Sequence, residues 1–526
     1  MVGMSTNRST RAAQAWPYAV CGLLAAGAGM AAGHLVAAFV DPAASPVVAV
    51  GSTVIDSTPT PVKEWAVQHF GTADKPILLT SVAVVTALAA AGIGLLSRRR
   101  RSLSLVLLVA LAGLAAFAAA LRPAALPQDV VPGLVAAGVG AAVLSWLAGL
   151  LTQPPEWARE SPLEHTAYAT GVAGAPARRS FLLGAAGVTA GAAVLGGIGQ
   201  KLSAGPSLPP SFTLPQPQNS LPPLPAGIEG KVKGVSPFRT PVKDFYRVDT
   251  ALVIPRVDVE SWQLRIDGEV DQPFTLTYAD LLKMPMIEQD ITLNCVSNEV
   301  GGPYISSARW LGVRVRDLLA TAKVRPGVDQ ILSESTDGMT ISTPVEALTD
   351  DRDAIIAVAM DGQPLPAKHG FPARMVTPGL YGYVGATKWL TKLTATTYAA
   401  DQAYWTKRDW LIDGTVKTQA RIDTPAGLAT YKPGKIAIGG VAWAQRRGIE
   451  EVEVRVDGGE WQKATLGPDG GTDYWRQWFW VWDAKPGRHD LTVRAKDGTG
   501  EFQTEKRADP FPGGASGWHS IVVLVS

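Results

Sequence analysis

The chain has 526 residues, of which 47% are hydrophobic and only 18% charged, with a formal net charge of +2. That length exceeds one ordinary domain, and the mean hydropathy is slightly positive; a membrane part followed by soluble units fits both. The same figures exclude a disordered polymer, a collagen-like or coiled-coil fibre, and a broad basic face for nucleic acid. Two cysteines, Cys21 and Cys295, cannot build a disulfide framework or a cysteine-rich metal site, so each thiol needs its own explanation.

Five stretches carry no charge: 16–40, 76–97, 102–121, 130–152 and 180–200. At ~1.5 Å per residue, a helix over each spans a hydrocarbon core of roughly 30 Å. The arginine block at 98–101 places the loop between the second and third spans on the cytoplasmic side. Counting from there, residues 1–15 with Arg8 and Arg11 are inside, 41–75 outside, 153–179 inside, and everything after 200 outside. Arg178-Arg179-Ser180-Phe181-Leu182-Leu183 opens the fifth span and resembles a twin-arginine export signal, set internally. Such a signal exports folded proteins with a cofactor in place; the alternative is a pair of arginines anchoring a helix. Only His34 falls in a span, and no CxxCH motif occurs, so no haem is expected. The membrane region 16–200 reads as an anchor or a docking surface for a redox partner. The small-residue spacing Gly22, Ala26, Met30 hints at helix packing.

Residues 201–235 are proline-rich and read as a semi-extended linker. From 236 to 400 strands and short helices alternate. Trp262, Leu264 and Ile266 alternate with polar residues before the Asp267-Gly268 turn, and helices are expected over 278–283 and 314–323. This unit is α+β. From 401 to 526 the pattern is β only, with Val452, Val454 and Val456 leading to the Asp457-Gly458-Gly459 turn. Trp478, Trp480 and Trp482 line one face of a later strand and read as core. The fold expected there is an immunoglobulin-like two-sheet sandwich.

Thr292-Leu293-Asn294-Cys295-Val296-Ser297-Asn298-Glu299-Val300-Gly301-Gly302 carries an apolar strand into a polar loop, with Cys295 at the junction. Taken alone, the thiol is a buried structural cysteine, a nucleophile without a local base, or one soft ligand to a metal held mainly by an organic cofactor. This loop, Arg309-Trp310-Leu311-Gly312-Val313, the run His369 to Gly379, and Gly385-Ala386-Thr387-Lys388-Trp389-Leu390 together resemble the sulfite-oxidase family of molybdopterin enzymes over 236–526. The resemblance implies a molybdenum–molybdopterin cofactor, one per chain, and a dimerisation-type C-terminal domain. Cys295 matches the position of the metal's protein ligand. Arg374 and Lys388 match phosphate-facing positions, and His369 a pterin contact. Asp244, Phe245, Tyr246 and Arg247 match a segment closing over the cofactor. Ser335, Gly385 and Thr387 complete the implied binding set, and Arg247 and Tyr404 join Cys295 as implied catalytic residues. The chain departs from the family pattern after the thiol, where Val296-Ser297-Asn298-Glu299-Val300 replaces an anion-binding arginine pair. The family's tyrosine falls near Gln402, with Tyr404 close by.

The expected protein is thus a multi-pass cell-membrane oxidoreductase with an extracytoplasmic catalytic part. It would transfer oxygen atoms to or from a small molecule: sulfite-like anion oxidation, or sulfoxide or N-oxide reduction. Electrons would pass through a separate carrier, a cytochrome or a quinone-linked protein, and a homodimer is possible. The other reading is a non-catalytic receptor or adhesion protein using its sandwich to bind a partner.

Overall fold

The computed structural model describes residues 15–70, 73–152, 175–203, 213–218 and 220–526. Arg8, Arg11 and residues 153–174 of the loop expected inside lie outside the described residues. The chain divides into two compact units, Met1–Pro206 with Ala251–Pro255, and Ser207–Thr250 with Arg256–Ser526.

In the first unit five helices are long and apolar enough to cross a membrane: Trp16–Val40, Asp74–Ser97, Arg101–Ala120, Pro127–Thr152 and Arg179–Ser203. They fall on the five uncharged stretches. Alanine, leucine and glycine offer no polar side chain to compete with the backbone ladder, and a helix satisfies its own backbone groups. A Cβ on Gly22 would collide with the Ala90 carbonyl, and one on Gly94 with that of Tyr18, so the first two of these helices meet backbone to backbone. Cys21 is fully buried against Leu108, Leu144, Leu147 and Phe181 and serves as packing. The 41–75 stretch, expected as a loop, contains two further helices, Pro46–Ser57 and Thr60–Phe70. Both are too short to cross a hydrocarbon core, and each carries proline in its first turn, where the missing N–H costs nothing.

The second unit is built from β1 (Gln263–Gly268), β2 (Phe274–Thr277), β3 (Met286–Asn294), β4 (Ile305–Arg314), β5 (Gln330–Ser335), β6 (Thr340–Pro344), β7 (Ile355–Met360), β8 (Gln363–Pro364), β9 (Arg374–Val376) and β10 (Leu390–Thr396). They form two sheets, β2-β1-β10-β5-β6 and β3-β4-β7-β8 with β9 also on β7. The expected helices are Tyr278–Lys283 and Val315–Ala322. β7 is buried at every position, because Leu264, Ile331 and Leu318 cover one face while Trp310, Phe371 and Ile291 cover the other. A strand covered on both sides reads as a continuous apolar run rather than an alternation.

β11 (Gln419–Thr424), β12 (Thr430–Tyr431), β13 (Gly434–Trp443), β14 (Ile449–Val456), β15 (Gln462–Lys463), β16 (Thr465–Leu466), β17 (Arg476–Ala484), β18 (Gly487–Asp497) and β19 (His519–Val525) follow. They make the sheets β11-β13-β17-β16 and β12-β19-β18-β14-β15, which enclose one core. Trp478 and Trp482 lie inside that core, as the stripe predicts. Asp457 and Gly458 both have positive φ, +52° and +69°, and turn β14 into β15.

The proline-rich stretch departs from the spacer expectation. From 213 onward it lies along the second unit: Gln218 N–H donates to Met286 O at 2.8 Å and Leu221 N–H to the Glu288 carboxylate at 2.9 Å. Arg309 donates to the carbonyls of Leu221 and Pro222. Proline lacks an N–H but keeps its carbonyl, so such a segment still serves as an acceptor strip.

Candidate active site

The site is assembled around the end of β3. Its ladder with β4 runs from Met286↔Val313 to Asn294↔Ile305, and Cys295 N–H continues it to Tyr304 O at 3.0 Å. The chain then turns: Asn298 N–H donates to Cys295 O, and the Asn298 side-chain oxygen accepts from Tyr304 N–H at 2.8 Å. This leaves Cys295 half-buried at a loop that the sandwich clamps from below. Gly301 adopts φ +82°, and a Cβ there would run into the His519 ring. Arg421, itself buried, donates to Gly302 O at 2.7 Å. Burial pushes the Cys295 thiol up, opposed by hydrogen bonds from Ser297 and by the Lys388 charge. A metal binding there must displace a proton.

Phe245, Tyr246 and His369 form an aromatic wall. Phe245 stacks on Tyr246 at 5.5 Å and meets the edge of His369 at 5.4 Å. Tyr246 N–H is fixed by Ser306 Oγ at 3.1 Å. Burial, then the Cys295 charge, raises the Tyr246 hydroxyl, so it is a proton donor at neutral pH. Burial and the charges of Arg374 and Lys368 push the His369 imidazolium down to about 3, so the ring is neutral. Its Nε2 lies 3.3 Å from Val242 O.

Arg374 opens β9, is 5% exposed, and sits over the Trp310 ring at 5.1 Å. It donates to His369 O at 3.1 Å and Ala386 O at 3.5 Å, while its Nε has no hydrogen-bond partner and no carboxylate pairs with it among the described residues. Burial lowers it to about 10, so it stays charged. Other buried polar atoms also lack partners nearby in the fold: Asn294 Oδ1, Ser335 Oγ and Thr377 Oγ1. Such a set fits an absent ligand that is polar along its length and anionic at one end. Lys388 is lowered to about 8 by burial and donates to Asp249 at 2.6 Å.

The remaining expected residues divide. Arg247 is engaged by Asp249, with Nε at 2.7 Å. Asp244 is exposed and faces Lys243. Thr387 shares a 2.6 Å hydroxyl contact with Ser333, and Gly385 is required because a Cβ would fall 2.8 Å from that of Thr377. Tyr404 lies under the Arg408 guanidinium at 3.6 Å and meets Trp405 edge-on at 5.0 Å. The tyrosines that sense the Cys295 charge are Tyr246 and Tyr381 instead. Tyr381 is buried, which pushes it up to about 12, and its hydroxyl borders Gly514 in the lining of a 410 Å³ cavity. Asp249, Ser333 and Tyr381 escaped the sequence reading, and Trp310 entered it only as part of a motif, with no contact to Arg374 foreseen. Asp249 stands two residues beyond Arg247 and Tyr381 four before Gly385, so the motifs pointed at both neighbourhoods.

Residues 251–405 match the family described as an oxidoreductase molybdopterin binding domain. The chain carries an oxidoreductase molybdopterin binding domain, similar to the corresponding part of sulfite oxidases. Mitochondrial sulfite oxidase of Rattus norvegicus is 30% identical over 279 residues, covering 44% of this chain and 50% of that protein. The Homo sapiens enzyme is 29% identical over 295 residues, with 47% and 53% covered. Inducible nitrate reductase [NADH] 2 of Glycine max is 30% identical over 358 residues, with 55% and 39% covered. The chain spans about half the length of the sulfite oxidases it matches. The sulfane dehydrogenase SoxCD from Paracoccus pantotrophus aligns at a TM-score of 0.48 with 23% identity, over 55% of this chain and 83% of that one. A molybdenum cofactor is implied for this domain, and a β-rich region follows it.

Proposed function

We propose that the protein is a membrane-anchored enzyme that performs two-electron oxygen-atom transfer on a small molecule at the outer face of the cytoplasmic membrane. The five apolar helices would anchor it, and the arginine distribution orients the second unit outward. The C-terminal region would be an immunoglobulin-like sandwich. Molybdenum bound to one molybdopterin per chain would supply the redox chemistry. A separate carrier, a cytochrome or a quinone-linked protein, would exchange the electrons.

The observation that carries this reading is the buried guanidinium of Arg374, which no carboxylate pairs among the described residues. An uncompensated buried charge costs several kcal/mol, so its retention points to an anion that completes it. Arg374 and Lys388 would take the cofactor phosphate, Arg374 through a planar fork and Lys388 as a point charge. Cys295 would lie opposite as the thiolate ligand, since sulfur is a soft, polarisable donor. Ser335, Asn294 and Thr377 would hydrogen-bond the polar edges between those ends, and His369, neutral, would orient the ring beside Phe245. Tyr246 and Tyr381 hold their protons at neutral pH and would donate to a substrate oxygen.

Full-length protein purified from membranes of a molybdenum-replete host should contain about one molybdenum atom and one fluorescent pterin per chain. Folded, metal-free and pterin-free protein from that host would overturn the reading.

A further inference from the structure

The first unit holds a charged cluster that its own packing does not complete. Arg122 follows the third span and Asp41 the first, while Asp129 stands inside the fourth, Pro127–Thr152. Arg122 Nη2 donates to Asp129 Oδ2 at 2.7 Å and also to Asp41 Oδ2. The Asp129 side chain is 1% exposed and that of Arg122 10%. Leu126 N–H also donates to Asp129 Oδ2, at 3.0 Å, and Ala43 N–H donates to Asp41 Oδ1. At the other end of the Asp41–Ser45 turn, His34 Nδ1 lies 3.0 Å from Ser45 Oγ. Three buried atoms are left over: Arg122 Nε, Arg122 Nη1 and Asp129 Oδ1 have no hydrogen-bond partner among the described residues.

A cluster that only pinned helix ends would use those atoms, since each unmet polar group is costly in apolar surroundings. Ionisable groups kept inside a membrane bundle mark ligand or proton sites. The unmet atoms specify the ligand. Two N–H groups require an acceptor oxygen, and the carboxylate oxygen requires a donor. One cation stands against two carboxylates, so an anionic group such as a lipid phosphate is repelled. Phe39, Leu121 and Leu126, the neighbours of these residues in the chain, are exposed and apolar, which suits a lipid-soluble ligand. A phenolic hydroxyl accepts and donates at one oxygen, and a hydroquinone carries it on a neutral, lipid-soluble ring.

We propose that Arg122 and Asp129 form a binding site for the head group of a membrane quinone. Arg122 donates to the ring oxygen in both redox forms, and Asp129 accepts the hydroxyl proton of the reduced form. Oxidation of the hydroquinone to quinone releases two electrons and two protons. Reduction of an oxo-substrate consumes the same number of each and yields the deoxygenated product and water. That coupling rests on the oxygen-transfer reading above, whereas the binding site does not.

The test uses full-length protein purified from membranes in detergent, with decylubiquinone as the probe in equilibrium dialysis. Quinone extracted from the purified protein should approach one per chain, and stripped protein should bind decylubiquinone saturably, beyond its partition into empty micelles. Asp129→Asn and Arg122→Gln should each weaken that binding about tenfold or more, the loss of one charge-assisted hydrogen bond. A wild type that neither retains quinone nor binds the probe saturably would overturn the proposal, and this needs no variant to fold. So would variants that lose thermal stability yet bind as the wild type does, the result for a cluster that only pins helices. Displacement of the probe by phosphatidylglycerol would assign the cluster to anionic lipid and overturn it as well. A wild type without molybdenum sinks the oxygen-transfer reading instead, while its quinone titration still judges Arg122 and Asp129.

Discussion

Arg374→Met separates a residue that serves a ligand from one that serves the fold. Burial lowers the guanidinium from the usual 12.5 to about 10. At ~1.36 kcal/mol for each pKa unit, that fall sets roughly 3 kcal/mol against the charged form in the ligand-free protein. The side chain is 5% exposed, so solvent screening does little to reduce this figure. Methionine of similar length relieves that penalty. It forfeits the contact with Trp310, worth about 1 kcal/mol, and the hydrogen bonds to His369 O and Ala386 O, worth about 1 kcal/mol each. The two sides nearly cancel, so the ligand-free variant should unfold within ~2 kcal/mol of the wild type in denaturant titrations. Cofactor retention should behave otherwise. Two charge-assisted hydrogen bonds to phosphate are worth roughly 3–6 kcal/mol, at least a hundredfold in affinity. The assay pairs equilibrium unfolding of protein from a host unable to make molybdopterin with molybdenum content of protein from a replete host. A methionine variant that unfolds readily yet retains full molybdenum would refute the reasoning.

Cys295→Ser should retain part of its pterin through the phosphate contacts yet lose turnover per molybdenum and the thiolate-to-metal absorption; normal activity per molybdenum would return the thiol to a packing role. Stability should fall as the pH drops below ~6.5. His369 and His519 have folded values depressed to about 3 and about 4, so across that window the unfolded chain binds more protons and acid favours it. His519→Asn, keeping an acceptor for Ile422 N–H, should flatten that acid slope in urea titrations between pH 4 and 6.5; an unchanged slope would show that His519 does not contribute. Protease added to intact spheroplasts should remove the second unit, and replacing Arg178 and Arg179 by Lys should block its export. Full protection would contradict the topology, and unaffected export would reduce the pair to an anchor.

What the residues determined alone is what depends on local pattern. Uncharged runs of twenty or more residues specified the five long helices, because apolar length and backbone self-satisfaction need no partner. Period-two alternation specified β1 and β14, since each has one face on a core and one on solvent. Ordered motifs pointed to Cys295, His369, Arg374 and Lys388 as candidates, because a turn after a strand and a run of small residues around a cation leave their mark in the order of residues. Tertiary structure alone decided the rest. β7 is hidden in the sequence as a featureless apolar run, because two cores from distant segments cover it. The proline stretch at 213–225 is an acceptor strip only because Arg309 and Met286 lie beside it. The Cys295 loop is held by His519 and Arg421, more than a hundred residues away in the chain. Above all, whether Arg247 faces a substrate or a carboxylate depends on where Asp249 and Lys388 meet. A charge's sign is written in the sequence, but its partner is chosen only when the chain has folded.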